Sequence, residues 1–242
     1  MDIMNGLLGF GDKLYQAFLV EDRWRLYLDG LGVTLGITLG AICISTVLGM
    51  VLCLMKMSRH RILRWPAQAY IDIIRGIPVV VQLLIMYNVV LLNVTDNKMV
   101  VAVIAFGLNS SAYMAEIYRS GINAVDPGQM EAGRSLGMNY FTTMRFIVIP
   151  QAVKNILPAL GNEFIMMLKE TSLASTFFLG DIMTSYLVVK GVSYLTLEPL
   201  TIVAIIYLCV TYPLSKIVDR FGKKMANPNS YRSHKAKKEG TV

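Results

Sequence analysis

GLGVTLGITLGAICISTVLGMVLCLM, residues 30–55, carries no charged side chain between Gly30 and Met55. About twenty such residues suffice for a helix to cross a hydrocarbon core of about 30 Å, so the run predicts a transmembrane helix. Working outward, Gly76–Thr95 is a second uncharged run, and Met99–Ala115 a third, extendable through Glu116. Only Asp96-Asn97-Lys98 separates these two, which predicts a tight hairpin at one membrane face. Leu197–Ser215 holds one charge, Glu198, at its start. Ile156–Gly180 is also long enough to span, although it carries Glu163, Lys169 and Glu170. The expected fold is an all-α membrane protein of about five transmembrane helices.

Composition agrees. The 242 residues are 55% apolar and 16% charged, where a soluble domain has roughly a quarter of its residues charged. The formal charge of +7 suits nucleic acid or anionic headgroups, and position decides between them. Basic residues collect in 56–75, 119–154 and 216–242, seventeen on one face against five on the other, with Lys169 inside a span. By the positive-inside rule residues 1–29 form an extracytoplasmic N-terminal segment and 221–242 a basic cytoplasmic tail, a parity that five spans satisfy. Beyond Phe221 at its start, that tail has Tyr231 as its only aromatic residue, so topology and headgroup attraction explain it better than nucleic-acid binding.

Several classes of chemistry find no residues. Cys43, Cys53 and Cys209 all lie in apolar runs, and no disulfide is expected. His60 and His234 stand apart from any cysteine or carboxylate cluster, which leaves no metal-site spacing. There is no Gly-x-x-x-x-Gly-Lys-Ser/Thr loop, so any ATP must be bound by another chain. The chain is expected to be no enzyme and to hold no cofactor. Gly32, Gly36 and Gly40, then Ala41, Ser45 and Gly49, repeat at intervals near four and mark a close helix–helix seam, expected within the chain ahead of between two chains.

The long inside loop has deliberate helix ends. Asp126-Pro127-Gly128-Gln129 sets a capping carboxylate, a proline at the first helical position and a glutamine at the third, the order of a capping box. The helix is expected to stop at Gly137, and a second, capped by Asn139, to run from Tyr140 to Ile149 and break at Pro150.

Glu131-Ala132-Gly133, three residues, Gly137, nine residues, then Ile147-Val148-Ile149-Pro150 resembles the EAA loop of ABC importer permeases. Gly133 stands where that family usually has Ala, and Ile149 where it usually has Leu. Arg75-Gly76-Ile77-Pro78-Val79-Val80-Val81-Gln82 resembles a run of the polar amino acid uptake branch, as do Ala112-Tyr113-Met114-Ala115-Glu116, Pro150-Gln151-Ala152 and Lys169-Glu170-Thr171-Ser172-Leu173-Ala174-Ser175. The likeness covers residues 30–220 and includes the loop at about 126–150.

That resemblance implies a type I ABC importer transmembrane domain in a bacterial inner membrane. It implies a permease subunit of an amino acid importer, working with a cytoplasmic ATPase dimer that uses ATP and Mg, a second permease subunit (a like copy or a relative), an extracytoplasmic solute-binding protein and lipid. Glu131, Ala132, Gly133, Arg134 and Gly137 are then the candidates for coupling to the ATPase. Ala132 and Gly133 would leave a shallow docking surface, rimmed by Glu131 and Arg134.

Charges at mid-membrane cost about 2.5–3.5 kcal/mol each on insertion scales, so Glu163, Lys169 and Glu170 are candidates for the substrate path, with Thr171 and Ser172 supplying hydroxyls. Glu163 and Glu170 lie seven residues apart on one helix face, where a carboxylate could meet an α-amino group. Lys169 and Glu170 serve equally well as a structural pair at a kink, and the hydroxyls as partners of a broken helix. The alternative from another class, an ion-coupled secondary amino acid transporter, would call for its own coupling site and usually for repeated halves, and no internal repeat is seen.

Overall fold

The structure is a computed structural model that describes the backbone of residues 2–91, 95 and 97–226. Most of the basic tail, 227–242, lies outside the described residues, as does Asp96 of the expected hairpin. Among the described residues three helices are long and apolar enough to cross a membrane, and up to five spans result if each of two bent pairs is counted as one.

The charge-free run at 30–55 sits within α2 (Trp24–Met57), which begins well before the apolar stretch and ends at Ser58. Ahead of it, α1 (Asp2–Phe18) fills most of the N-terminal segment and packs on the last helix, α10 (Leu197–Ala226), through Leu14 and Ala17. The Met99–Ala115 run became α5 (Lys98–Asn123), opened by Asn97, whose side-chain oxygen accepts the Met99 and Val100 N–H groups at 3.0 and 3.3 Å.

Two of the expected spans belong to bent helix pairs. The run that begins at residue 76 opens on a bend and is helical from Val79 to Leu91. α3 (Arg61–Gly76) and α4 (Val79–Ile85), which runs on into a wider turn at Met86–Leu91, meet at 110° across Ile77-Pro78. A proline disfavours the helical conformation of the residue before it, and Ile77 here is extended, with φ −108° and ψ 136°. Residues 156–180 are likewise not one unit. α8 (Ile149–Glu170) tightens into a 3₁₀ stretch (Thr171–Phe177), and α9 (Ile182–Ser193) follows at 45°. Phe178 with φ 51° and Gly180 with φ 79° turn the chain at that break.

The longest seam joins α2 to α5. A Cβ at Gly36 would lie 2.7 Å from Met99 Cε, one at Gly40 2.8 Å from Val103 Cγ1, and one at Gly49 2.4 Å from Met114 Cβ and 3.0 Å from the Ser111 carbonyl. The small-residue stripe is therefore an intrachain seam, except at Gly32, where an added Cβ meets nothing within 4 Å. Gly49→Ala is expected to destabilise the protein by about 1–3 kcal/mol through overpacking, while Gly32→Ala changes little. Thermal unfolding in mild detergent checks this, and equal midpoints for the two variants would refute the seam.

Candidate functional site

In the loop between α5 and α8, α6 (Pro127–Ser135) starts as its residues dictate. The Asp126 carboxylate accepts the Gly128 N–H at 2.8 Å, and Pro127 stands where no amide donor is needed. The reciprocal bond of a capping box is not made. Gln129 instead accepts a hydrogen bond from Gln151 Nε2 at 3.2 Å, which ties α6 to α8. At the far end Gly137 takes φ +84°, its N–H donates to the Arg134 carbonyl at 3.0 Å, and the Met138 N–H reaches the Gly133 carbonyl at 3.1 Å. This doubly bonded stop needs a left-handed residue, which glycine supplies without strain.

Asn139 caps α7 (Tyr140–Thr143), accepting the Thr142 N–H at 2.8 Å. The expected break at Pro150 does not occur. α7 passes through a π-type turn at Met144–Val148 directly into α8. In the first turn of α8 the missing proline amide leaves no intrahelical bond broken, and the widened turn before it removes the usual clash with a carbonyl four residues back. The loop is thus a short helix clasped to the root of a membrane helix.

Of the five coupling candidates, Glu131, Ala132, Arg134 and Gly137 are exposed, and Gly133 is not. The expected docking surface is corrected at that residue. A Cβ at Gly133 would stand 2.5 Å from Thr143 Cγ2 and 3.2 Å from Ile147 Cδ1, so Gly133 is where α6 closes on α7, and Thr143 beneath it is fully buried. The outward face instead displays Leu136, Tyr140 and Phe141, exposed to 82%, 58% and 75%. The sequence contained a signal for them, because two helices this short cannot bury apolar residues on every side.

The path candidates divide. Glu163 lines a cavity of about 410 Å³ between α3, α5 and α8, together with Arg75, Tyr113, Glu116, Ser120 and Asn155. Ser110 Oγ donates to Glu163 Oε1 at 2.7 Å. Glu170, half-buried, and Lys169, exposed, do not line this cavity, and among the described residues they form no ion pair with each other. Thr171 is buried and donates to the Leu168 carbonyl at 2.7 Å, while the carbonyl of half-buried Ser172 accepts from Ser175 Oγ at 2.7 Å. The Thr171 and Ser175 hydroxyls therefore serve the tightened backbone at the end of α8.

Two polar assemblies escaped the sequence reading. Glu116 gathers three cations from three helices: Lys56 Nζ at 2.5 Å, Arg119 Nη2 at 2.8 Å and Arg75 Nη1 at 4.0 Å. Arg75 also lies over the Tyr113 ring, 5.6 Å from its centroid. Gln82 staples the α3–α4 bend, donating to the Ile74 and Ile77 carbonyls, the latter at 2.7 Å, and accepting from Asn109 Nδ2 at 2.8 Å. Carbonyls freed where α3 ends at a proline find their donor there, which explains a glutamine four residues beyond Pro78.

Comparison with known proteins follows the same lines. Residues 32–227 match the family described as binding-protein-dependent transport system inner membrane component. The chain is 41% identical over 198 residues to the arginine transport system permease protein ArtQ of Bacillus subtilis (strain 168), covering 81% of this chain and 89% of that protein. The crystal structure of an amino acid ABC transporter with histidines superposes with a TM-score of 0.79 at 44% identity, covering 83% of this chain and 94% of that one. Inward-facing MetNI, a methionine ABC transporter, shares the fold at 19% identity with a TM-score of 0.73, over 86% of this chain and 99% of that one. With the clasped loop helix, the broken spans and this match over most of its length, the chain belongs to the family of binding-protein-dependent transport system inner membrane components, the permeases of type I ABC importers.

Proposed function

We propose that the chain is the permease subunit of an ATP-driven amino acid importer. The observation that carries this reading is the rigid join between an exposed loop helix and α8. α6 is fastened to α8 by Gln129–Gln151 and to α7 by Gly133 against Thr143, and α8 bears Glu163 on the inner cavity. A cytoplasmic ATPase pair, holding ATP and Mg in its own chains, docks on Glu131, Ala132, Arg134, Leu136 and Phe141. Closure of that pair then tilts α8 as a body and changes access to the cavity. A second permease subunit completes the path, and an extracytoplasmic binding protein delivers the solute.

Amino acids are the supported solute because ArtQ and the similar crystal structure are described as transporting them. The ion-coupled alternative is not favoured, since the family works with separate binding proteins. Proteoliposomes holding the permease, the ATPase encoded beside it and the binding protein test the proposal. Uptake of one or more of the twenty L-amino acids is expected to require ATP and to survive ionophores. Uptake that persists without ATP and collapses with an ionophore would refute it.

The orientation follows from the distribution of Lys and Arg, with the N-terminus outside and the C-terminus inside. A reporter active only in the cytoplasm, fused after Val242, is expected to give signal. A silent fusion with the protein present in the membrane would reverse the assignment.

A further inference from the structure

We infer that the last turns of α10, from Lys216 to Lys224, are a binding site for an anionic phospholipid of the inner leaflet, with Arg220, Lys223 and Lys224 holding its phosphate-bearing head group. The inference goes beyond the importer reading. It rests on the orientation proposed above and on no property of the solute.

α10 is longer than a membrane requires. Its 30 residues cover about 45 Å at 1.5 Å each, against about 30 Å of hydrocarbon. Counted from Leu197, the hydrocarbon runs out near Lys216, about 28 Å along the axis. Tyr212 and Lys216 mark that depth, the lysine ammonium lying 5.3 Å from the centroid of the Tyr212 ring, and both residue types favour the membrane–water boundary. Residues 216–224 therefore cross the head-group layer.

One face of this stretch is taken. A Cβ at Gly161 would lie 2.5 Å from Val218 Cγ2, and one at Gly222 3.4 Å from Pro158 Cβ, so Val218 and Gly222 face α8. Arg220, two residues from each, points to the opposite side of the helix. There it continues the exposed row Ile205, Leu208, Tyr212 and Lys216, at intervals of three and four residues. That row is apolar through the membrane and cationic beyond it.

The charge on that face is left unanswered by the protein. Lys216, Arg220, Lys223 and Lys224 are all exposed, and Asp219 is the single acid between Ser215 and Met225. Among the described residues none of the four cations forms an ion pair within 4.0 Å, with Asp219 or with any other carboxylate. Arg220, Lys223 and Lys224 line one groove together with Ile217 and Phe221, which are exposed to 46% and 55%. Cations alone would suit any anion. Two bare apolar side chains set among them suit a ligand that carries a phosphate and hydrocarbon together, and the long lysine and arginine stems can lie along that hydrocarbon while their charges reach the phosphate.

The test uses the assembled permease–ATPase complex in nanodiscs of phosphatidylglycerol and phosphatidylcholine in equal parts, with a benzophenone amino acid in place of Phe221. Irradiation labels whatever lies in the groove, and mass spectrometry identifies it. Phosphatidylglycerol is expected to be labelled at least about tenfold over phosphatidylcholine, since three cations near a surface contribute about fivefold each. Arg220→Gln, Lys223→Gln and Lys224→Gln together should bring that ratio to within about twofold of one. The same loss of charge in the tail, Lys235→Gln with Lys237→Gln and Lys238→Gln, should leave the ratio as it was. Equal labelling of the two lipids overturns the inference, and this comparison needs none of the charge variants. A tail variant that lowers the ratio as far as the α10 variant also overturns it, because the attraction is then diffuse. Label on the second permease subunit or on the ATPase puts a protein on this face and overturns it too. Each of these outcomes leaves the importer reading standing, and a reversed orientation is read by the cytoplasmic reporter and not by this label.

Discussion

Gly133→Leu is expected to leave the permease inserted and abundant in the membrane yet to abolish coupled transport. The Cβ alone would stand 2.5 Å from Thr143 Cγ2, and Thr143 cannot retreat, because its side chain is fully buried and its hydroxyl is bonded to the Asn139 carbonyl at 3.0 Å. Relief has to come from α6 lifting off α7, at about 1–3 kcal/mol for overpacking of this kind. That sum is drawn from a four-residue helix and its cap, not from the membrane core, so insertion survives while the docking face loses its geometry. Gly137→Val is expected to act in the same direction, since φ +84° puts a β-branched side chain into strain of about 1–2 kcal/mol.

Leu136→Ser and Phe141→Ser separate docking from folding. Both side chains are more than 70% exposed, so their loss leaves the helix pair intact while removing apolar area from the contact proposed for the ATPase. Copurification of the ATPase and ATP-dependent uptake are the measurements. A Gly133→Leu complex with a full complement of ATPase and undiminished uptake would show that the closed α6–α7 pair is not required for coupling.

Glu116→Ala is expected to cost about 1–3 kcal/mol, because it strands the largely buried Lys56 without its counter-charge, while water reaches the more open Arg119 and Arg75. Lys56 is 14% exposed and Glu116 15%, so water can take over little of the missing interaction. The bonds join the C-terminal ends of α2, α3 and α5, and their loss loosens the attachment of α3 ahead of its 110° bend. Loss of monodisperse protein on purification and a lowered unfolding midpoint are the expected readouts. Adding Lys56→Met to Glu116→Ala should recover part of the loss by removing one stranded charge. A Glu116→Ala variant as stable as the wild type would show that the cluster contributes nothing to the fold.

These residues also mark where sequence reading stops. The spans at 30–55 and 99–115 are legible because lipid leaves no other solution. An uncharged run of that length has to satisfy its backbone internally, and a helix does so without reference to anything else in the chain. The ends at Asp126, Gly137 and Asn139 are legible for a related reason. Each cap is a bond between groups two to five residues apart, written whole in the local sequence. The glycine stripe of α2 announced a close seam, and the sequence could not name its partner.

What the tertiary structure decided is which side of each element meets which neighbour. Gly133 reads as an open surface in a loop motif, and it is closed because Thr143 and Ile147 arrive over it from a separate helix turn. Pro150 reads as a stop, and a widened turn ahead of it lets the helix continue. Gln82, Glu116 and Arg75 read as motif letters. They become a staple, a charge hub and a cavity wall only once α3, α4 and α5 converge, since a buried polar group takes its meaning from the partner that desolvates it and not from its chain neighbours.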